Sequence, residues 1–596
     1  MARGVGGGMS SGASANPSTP AIYELSIERY RGIPSLQWRP ARGVNVILGG
    51  GDVGKTTILE AIALLLSPVN PANLSDPDYH DRKIDAGFSV EAILSLPLTS
   101  DISNQLRPSW PWEWTEAGIS VPSLEDDGKI VGEPVYRARV RGTEDLELAY
   151  EIVQPDGTTD NFPVTLRRSI GLVRLGGDDR NDRDLRLVQG SALDRLLSDK
   201  GLRSRMASEL AKSEVREELS SAAQTALSKL DMAFRKESLP SGLDLAITGG
   251  QGASVASMIG LTADRHGVQL PLASWGAGTR RLSALAIAEQ NQGEAPITLV
   301  DEIERGLEPY RQRALVEKLQ SGKAQVFLTT HSPAAISAGS KASLWYVDHT
   351  GQIGPLDATK IARHRRSDPE TFLSRLAVIA EGATEVGFTA SLLERALGAA
   401  LEQHGVHVSD GGGHEATLGV LEALAAGGLR FGGFADEENK HPERWKRLRE
   451  KLGALLFRWP SRCIEENVID LVPDDKLFDF IADPADVKTG MRLRTLADRL
   501  GVEDKDFASL KATAGANFKA LIIQAALGTV PPGKDDEKNQ YRSHAGTWFK
   551  SVEGGRELAS KAFSLRLWPA LKLQLLPFCN AVRAAVGLAE IPDLPQ

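Results

Sequence analysis

Cysteine is almost missing: of 596 residues only Cys463 and Cys579 are cysteines. That excludes a disulfide framework, leaves no Cys/His spacing of a zinc ligand set, and points to a reducing, cytoplasmic setting. No apolar run approaches the roughly 18 residues that a spanning helix needs, so no membrane partner is expected. A basic excess is lacking too. Lys and Arg number 69 against 78 Asp and Glu, a net charge of -9, so nucleic acid could be met only through a local patch. The opening MARGVGGGMSSGASANPSTP has no apolar segment, which excludes a secretory signal and reads as a disordered tail over residues 1–20. Sustained heptads are absent, excluding long coiled-coil arms. A chain of this length is too long for one core, and three or four domains are expected.

What is present begins with two short apolar runs that end in acid: LAVIAEGATE at 376–385 and FGGFADEE at 431–438. Parallel strands deliver carboxylates to a sheet edge in this way. Glu381, Glu385, Asp436 and Glu438 supply hard oxygen ligands suited to Mg²⁺ or Mn²⁺. Glu381 and Glu385 are four apart, one helical turn, and face one site if a helix starts at the intervening glycine turn. Glu437 reads as part of a solvated acidic loop, and Glu465 or Glu466 is a further candidate ligand. Strand 406–408, the Asp410-Gly-Gly-Gly413 loop, helix 415–425 and strand 429–435 complete an alternation that predicts a small doubly wound sheet.

Upstream, Gly49-Gly-Gly-Asp-Val-Gly54-Lys55-Thr56 fits G-x-x-x-x-G-K-[ST], with strand Val44–Leu48 before it and a helix over 57–66 after it. The glycines free backbone N–H groups for phosphates, Lys55 reaches the outer phosphates, and Thr56 takes a Mg²⁺ position. Thr57 completes the expected ATP-binding set. Residues 84–170 are strand-rich, Asp178–Asp184 reads as a solvated loop, and 191–236 has the periodicity of a helical insertion that packs or dimerises. Ser274, Gly276 and Gly278 open a helix over 282–288 as a second anion site. Strand 297–300 ends in Asp301, a candidate for the nucleotide's Mg²⁺, and Glu302, a candidate for orienting water. Strand 326–330 delivers His331, read as a γ-phosphate sensor.

This order of motifs resembles the ABC-type ATPase heads of the SMC and DNA-repair families, over residues 22–356. The resemblance implies a head-to-head homodimer, with the Ser274 signature of one protomer closing on ATP held by the other. The second alternation is similar to the Toprim fold, with EGATE in place of a bare Glu-Gly start and DEE where Asp-x-Asp is usual. Together they resemble the OLD (overcoming lysogenization defect) family of nucleases. That likeness implies an α/β architecture: an ATPase domain at 21–360 with a helical insertion, a Toprim domain at 371–482 and a helical C-terminal domain at 483–596. It also implies cleavage of DNA by two metal ions under ATPase control in phage defence or repair, with a helicase or other defence protein as a candidate partner. No tyrosine lies between Asp348 and Asp479 to hold a broken strand, which favours hydrolysis over topoisomerase chemistry. TWFKSVEGGR at 547–556 resembles the lysine-bearing element of OLD nucleases, which gives Lys550 the role of neutralising charge on the scissile phosphate. A non-nucleolytic, ATP-dependent DNA clamp or sensor is the alternative.

Overall fold

The computed structural model describes residues 19–69, 74–96, 111–122, 132–175, 183–186, 188, 191–197, 260–265, 268–289, 297–483 and 487–595, with isolated positions between 205 and 232. Most of the expected N-terminal tail, most of the Asp178–Asp184 run and most of the helical insertion lie outside the described residues. Of the insertion, the helix Ala192–Leu197 is described. The chain forms two compact units. One comprises the residues up to Val44 together with Leu59–Leu328, and the other Asn45–Ile58 with Thr329–Gln596.

In the first unit, the alternation of IYELSIERY becomes the strand Ala21–Tyr30, whose buried and half-exposed residues alternate along most of its length. It sits between Ile33–Trp38 and Phe88–Ser95 in an antiparallel sheet that continues through Glu133–Gly142 to Trp112–Thr115 and Gly118–Ser120. A second layer is parallel: Leu172–Leu175 pairs with Ile297–Val300, which pairs with Val326–Thr329. The two latter strands are buried at every position, as expected of strands covered on both faces.

In the second unit, Val44–Leu48 runs parallel to Ser343–Val347, which turns back antiparallel onto Ile353–Leu356. Beyond these lies a four-stranded parallel sheet in the order Val406–Asp410, Leu376–Ala380, Gly432–Ala435, Leu456–Arg458. Helices Ala383–Leu397, His414–Ala426 and Pro442–Leu452 make the connections. Strand order reverses at Leu376–Ala380, so right-handed crossovers send the first helix to one face and the other two to the opposite face. Packing agrees, since Ala383–Leu397 lies on the C-terminal helices Val552–Ser564 and Trp568–Ala585, whereas His414–Ala426 lies on Pro442–Leu452. The switch point at the carboxyl ends of Leu376–Ala380 and Gly432–Ala435 is where such sheets hold ligands.

The C-terminal helices share one hydrophobic core with this sheet. Phe578 packs edge-on to Phe434 with centroids 5.8 Å apart, and Arg492, fully buried, forks onto Glu557 with both bonds at 2.7 Å. The residues Pro531–Tyr541 read from sequence as a polar loop, but a helix already begins at Lys538 and buries Tyr541. One contact is unusually close. A Cβ on Gly387 would strike the Val552 carbonyl oxygen, and one on Gly555 would strike that of Thr384, both well inside van der Waals range. These two glycines let the Ala383–Leu397 and Val552–Ser564 helices meet backbone to backbone.

Candidate functional site

In the second unit the glycine-rich loop expected to bind phosphate leaves Val44–Leu48 through Gly49 at φ +140° and Gly54 at φ +96°, conformations that side chains rarely adopt. Lys55 opens the helix Lys55–Leu65 and is buried, its Nζ donating to the carbonyls of Gly49 at 3.0 Å and Gly50 at 2.5 Å. Thr56 is exposed and Thr57 half-buried beside it. A Cβ on Gly50 would lie 2.5 Å from the Arg375 Cα, so the loop rests on the residue that precedes strand Leu376–Ala380. His331 is exposed just after Val326–Thr329, followed by Ser332, which caps helix Pro333–Ala338 by accepting from the Ala334 N–H at 3.2 Å.

In the first unit Ser274 is exposed and its hydroxyl donates to the Pro271 carbonyl at 2.7 Å. Gly276 has open space around it, whereas Gly278, in the first turn of Ala277–Glu289, abuts the Gly306 carbonyl. Asp301 is buried at the end of Ile297–Val300, and Glu302 follows at φ +49°, a left-handed backbone that a glutamate adopts only under constraint. The constraint is Arg281, which the sequence did not single out. Its buried guanidinium donates to the carbonyls of Asp301 at 2.7 Å, Glu302 at 3.0 Å and Arg305 at 2.8 Å. The signature helix and the Asp301–Glu302 turn are thereby one rigid piece. Arg281→Ala is expected to lower kcat for ATP hydrolysis on the order of 10- to 100-fold with KM little changed, because the turn shifts while the phosphate loop stays intact. Arg281→Lys, which cannot span three carbonyls, should fall between, and steady-state kinetics reads the split.

The carboxylates converge at the switch point of the parallel sheet. Glu381 follows its strand, and a helix does start at the intervening glycine: Gly382 caps Ala383–Leu397 in an extended conformation, so Glu385 is helical, Glu381 is not, and both face the same site. Glu385 sits in the first turn of that helix and Asp436 follows Gly432–Ala435. Glu381 Oε2 accepts the Asp436 N–H at 3.1 Å, and Asp436 Oδ1 accepts the Ile464 N–H at 3.0 Å. Glu465, on helix Ile464–Asp470, is wholly buried and faces Lys550, whose Nζ is 2.8 Å from its Oε1. Thr384 Oγ1 lies 3.2 Å from the same oxygen and 3.0 Å from the Phe549 carbonyl.

Four buried carboxylates around one lysine repel each other. Burial, then Glu465, pushes Glu385 up to about 7. Burial, then the charges of Glu385 and Glu465, carries Asp436 well above the carboxylate range, and burial raises Glu381. Burial opposes the Lys550 charge, yet Glu465 and Glu385 hold its pKa above the ordinary value. Among the described residues Glu465 Oε2 has no hydrogen-bond partner. A divalent cation fits this donor set: it is oxygen-rich, over-charged and left with an orphaned buried oxygen.

Glu438 stands apart from these four. Its side chain is 39% exposed, it pairs with Lys440 at 2.8 Å, and it lies 3.9 Å from His414 Nδ1. His414, first residue of the helix after the Gly411–Gly413 loop, also lies 3.6 Å from Glu381 Oε2. Its Nε2 accepts the indole N–H of Trp445 at 3.2 Å. Since an indole can only donate, the ring proton sits on Nδ1 and faces the two carboxylates. At those distances Nδ1 makes no hydrogen bond to either carboxylate, and Glu381, His414 and Glu438 together offer three donor atoms within 4.8 Å of one another. Glu437 is no solvated loop residue: it is half-buried and pairs with Arg458 at 2.6 Å. His414 was invisible as a site residue because Glu381, Glu438 and Trp445 are distant from it in sequence. The only signal was that it directly follows the triple glycine.

Residues 122–337 match the family model described as "AAA domain, putative AbiEii toxin, Type IV TA system". The DNA replication and repair protein RecF of Chloroherpeton thalassium is 32% identical over 113 residues, 19% of this chain and 30% of that protein's length. Among solved structures, an Smc head bound to the C-winged helix domain of ScpA is 13% identical, covering 57% of this chain and 99% of that one at a TM-score of 0.34. The recombination mediator RecF in an ATPrS complex is 14% identical, covering 57% and 99% at 0.30. These overlaps are loose and carry no weight alone. The family match, over about a third of the chain, supports an ATPase head of the AAA/ABC type. No described helix is long and apolar enough to cross a membrane.

Proposed function

We propose that this chain is an ATP-linked, divalent-metal-dependent DNA endonuclease of the OLD type, its parallel sheet serving as a Toprim domain. The observation that carries the reading is the convergence of Glu381, Glu385, Asp436 and Glu465 on one sheet switch point, with Lys550 beside them. Glu385, Asp436 and Glu465 are the residues that would hold Mg²⁺ or Mn²⁺, with Glu381 beside them fixing the Asp436 backbone. A bound ion supplies Lewis acidity toward a phosphodiester and a hydroxide at neutral pH. The chain's own part is to fix these oxygens and keep Lys550 charged, placed to meet phosphate. In the ATPase head, Lys55, Thr56 and Thr57 would bind ATP with Mg²⁺, and Asp301, Glu302 and His331 would act on its outer phosphate, with Ser274, Gly276 and Gly278 closing from a second protomer.

Supercoiled plasmid incubated with the protein and Mg²⁺ or Mn²⁺ tests the reading. Wild type is expected to nick or linearise it and Glu381→Ala to leave it closed; identical closed plasmid from both sinks the nuclease. Lys55→Ala is expected to abolish ATP hydrolysis, and its cleavage rate then tells whether ATP drives or restrains cutting. A second reading, a non-nucleolytic DNA clamp or sensor, draws support from the partial identity to a DNA replication and repair protein. It predicts DNA-stimulated ATP hydrolysis without any cut in the same tubes.

A further inference from the structure

Cys463 is the one soft donor at the carboxylate site. It caps helix Ile464–Asp470, and its sulfur, an Asp436 oxygen and a Glu465 oxygen all lie within 4.8 Å of one another. Its present bonds are weak and local: the thiol donates to Glu466 Oε2 at 3.3 Å, and its own N–H donates to that oxygen at 3.2 Å. Among the described residues the Asp436 side chain accepts one hydrogen bond, from the Ile464 N–H. Glu465 keeps Lys550 and Thr384 on Oε1, while Oε2, in a side chain with no exposure at all, has no hydrogen-bond partner among those residues. A small move of the sulfur converts this corner into one thiolate and two carboxylates, three protein ligands with an open fourth position, which suits tetrahedral zinc better than octahedral magnesium.

We propose that Asp436, Cys463 and Glu465 form a binding site for a thiophilic divalent cation, Zn²⁺ or Cd²⁺, that competes with the hard ion at the same carboxylates. On binding, the S–H bond breaks and its proton leaves to solvent, the hydrogen bond to Glu466 is lost, and a sulfur–metal bond forms with no change of oxidation state. The carboxylates are then occupied by an ion whose geometry the thiolate dictates. Binding is independent of what the site does; the inhibitory consequence rests on the nuclease reading.

Cobalt(II) reports the bond directly, because a thiolate ligand gives a charge-transfer band in the near ultraviolet. Full-length protein titrated with Co²⁺ is expected to develop that band and to lose it when Zn²⁺ is added. Cys463→Ser, which keeps a good helix cap, should abolish the band and weaken Zn²⁺ at least about tenfold, the least a lost ligand should cost, with Mn²⁺ affinity changed less than about threefold. Cys579, buried in the C-terminal core, is the control, and Cys579→Ser should keep the band. A band that survives Cys463→Ser, or equal Zn²⁺ affinity in both proteins, overturns the assignment. If cleavage is found, the Zn²⁺ needed to halve the Mn²⁺-supported rate should rise at least about tenfold in Cys463→Ser, by the same lost ligand. Should the plasmid stay uncut while the cobalt band appears, the nuclease reading falls and this site stands.

Discussion

Glu385→Gln is expected to abolish metal-supported cleavage and, in the same molecule, to make the metal-free protein more stable. Both follow from the crowding of charge. Glu385 lies in the first turn of Ala383–Leu397, where a helix N-terminus favours an anion, yet burial and the Glu465 charge prevail and push it up to about 7. An unfolded glutamate titrates near 4.5, so between that value and about 7 the folded state binds the extra proton. The contribution of Glu385 to the stability of the chelator-treated protein should therefore be full below about pH 4.5 and be lost as pH climbs through this window. At ~1.4 kcal/mol per pH unit the loss is roughly 3 kcal/mol. Glutamine carries no charge to bury, so the variant should match wild type near pH 4.5 and exceed it at pH 8, with a flatter profile. Saturating Mn²⁺ reverses the order, because wild type gains binding energy that the variant lacks. Urea titrations at several pH values, with chelator and with Mn²⁺, check it. A metal-free variant no more stable than wild type at pH 8 would mean that Glu385 is not held against its neighbours' charge.

How far the sequence reaches is visible residue by residue. Apolar runs ending in acid located Glu381 and Asp436 at strand ends, because a parallel strand buried on both faces writes itself as a continuous apolar run. The glycine-rich turn after Val44–Leu48 was legible for a related reason, since Gly49 and Gly54 mark backbone that other residues rarely adopt. What was lost lies in pairings between distant positions. Glu437 and Glu438 look alike in DEE, but Glu437 meets Arg458 and is half-buried while Glu438 meets Lys440 and is exposed. Lys550 reads equally well as a surface lysine until Glu465, 85 positions earlier, is found 2.8 Å away. Arg281 is likewise meaningful only beside the carbonyls it clamps. Periodicity reports which face a residue occupies, and it is silent about which partner waits there.

The second large effect is expected at Gly387 and Gly555, far less conspicuous than any carboxylate. Glycine to alanine inside a helix ordinarily stabilises a protein by about 1 kcal/mol, through helix propensity and a less flexible unfolded chain. Here the sign should reverse. The added methyl at Gly387 meets the Val552 carbonyl and at Gly555 the Thr384 carbonyl, and backbone cannot swing away as a long side chain would. The two helices must separate, and overpacking of this kind costs about 3 kcal/mol or more. The separation also reaches the site. Thr384 and Glu385 ride on one helix, Lys550 lies just before the other, and Thr384 bridges toward the Phe549 carbonyl at 3.0 Å. Gly387→Ala should therefore lower the urea midpoint and weaken Mn²⁺ binding together. Gly546→Ala, in helix Lys538–Thr547 with open space at its Cβ, should be neutral or stabilising by up to about 1 kcal/mol. The contrast in sign within one helical region is the decisive measurement. If Gly387→Ala unfolds at the wild-type urea concentration, the helices are not in backbone contact and Lys550 owes its place beside Glu465 to something else.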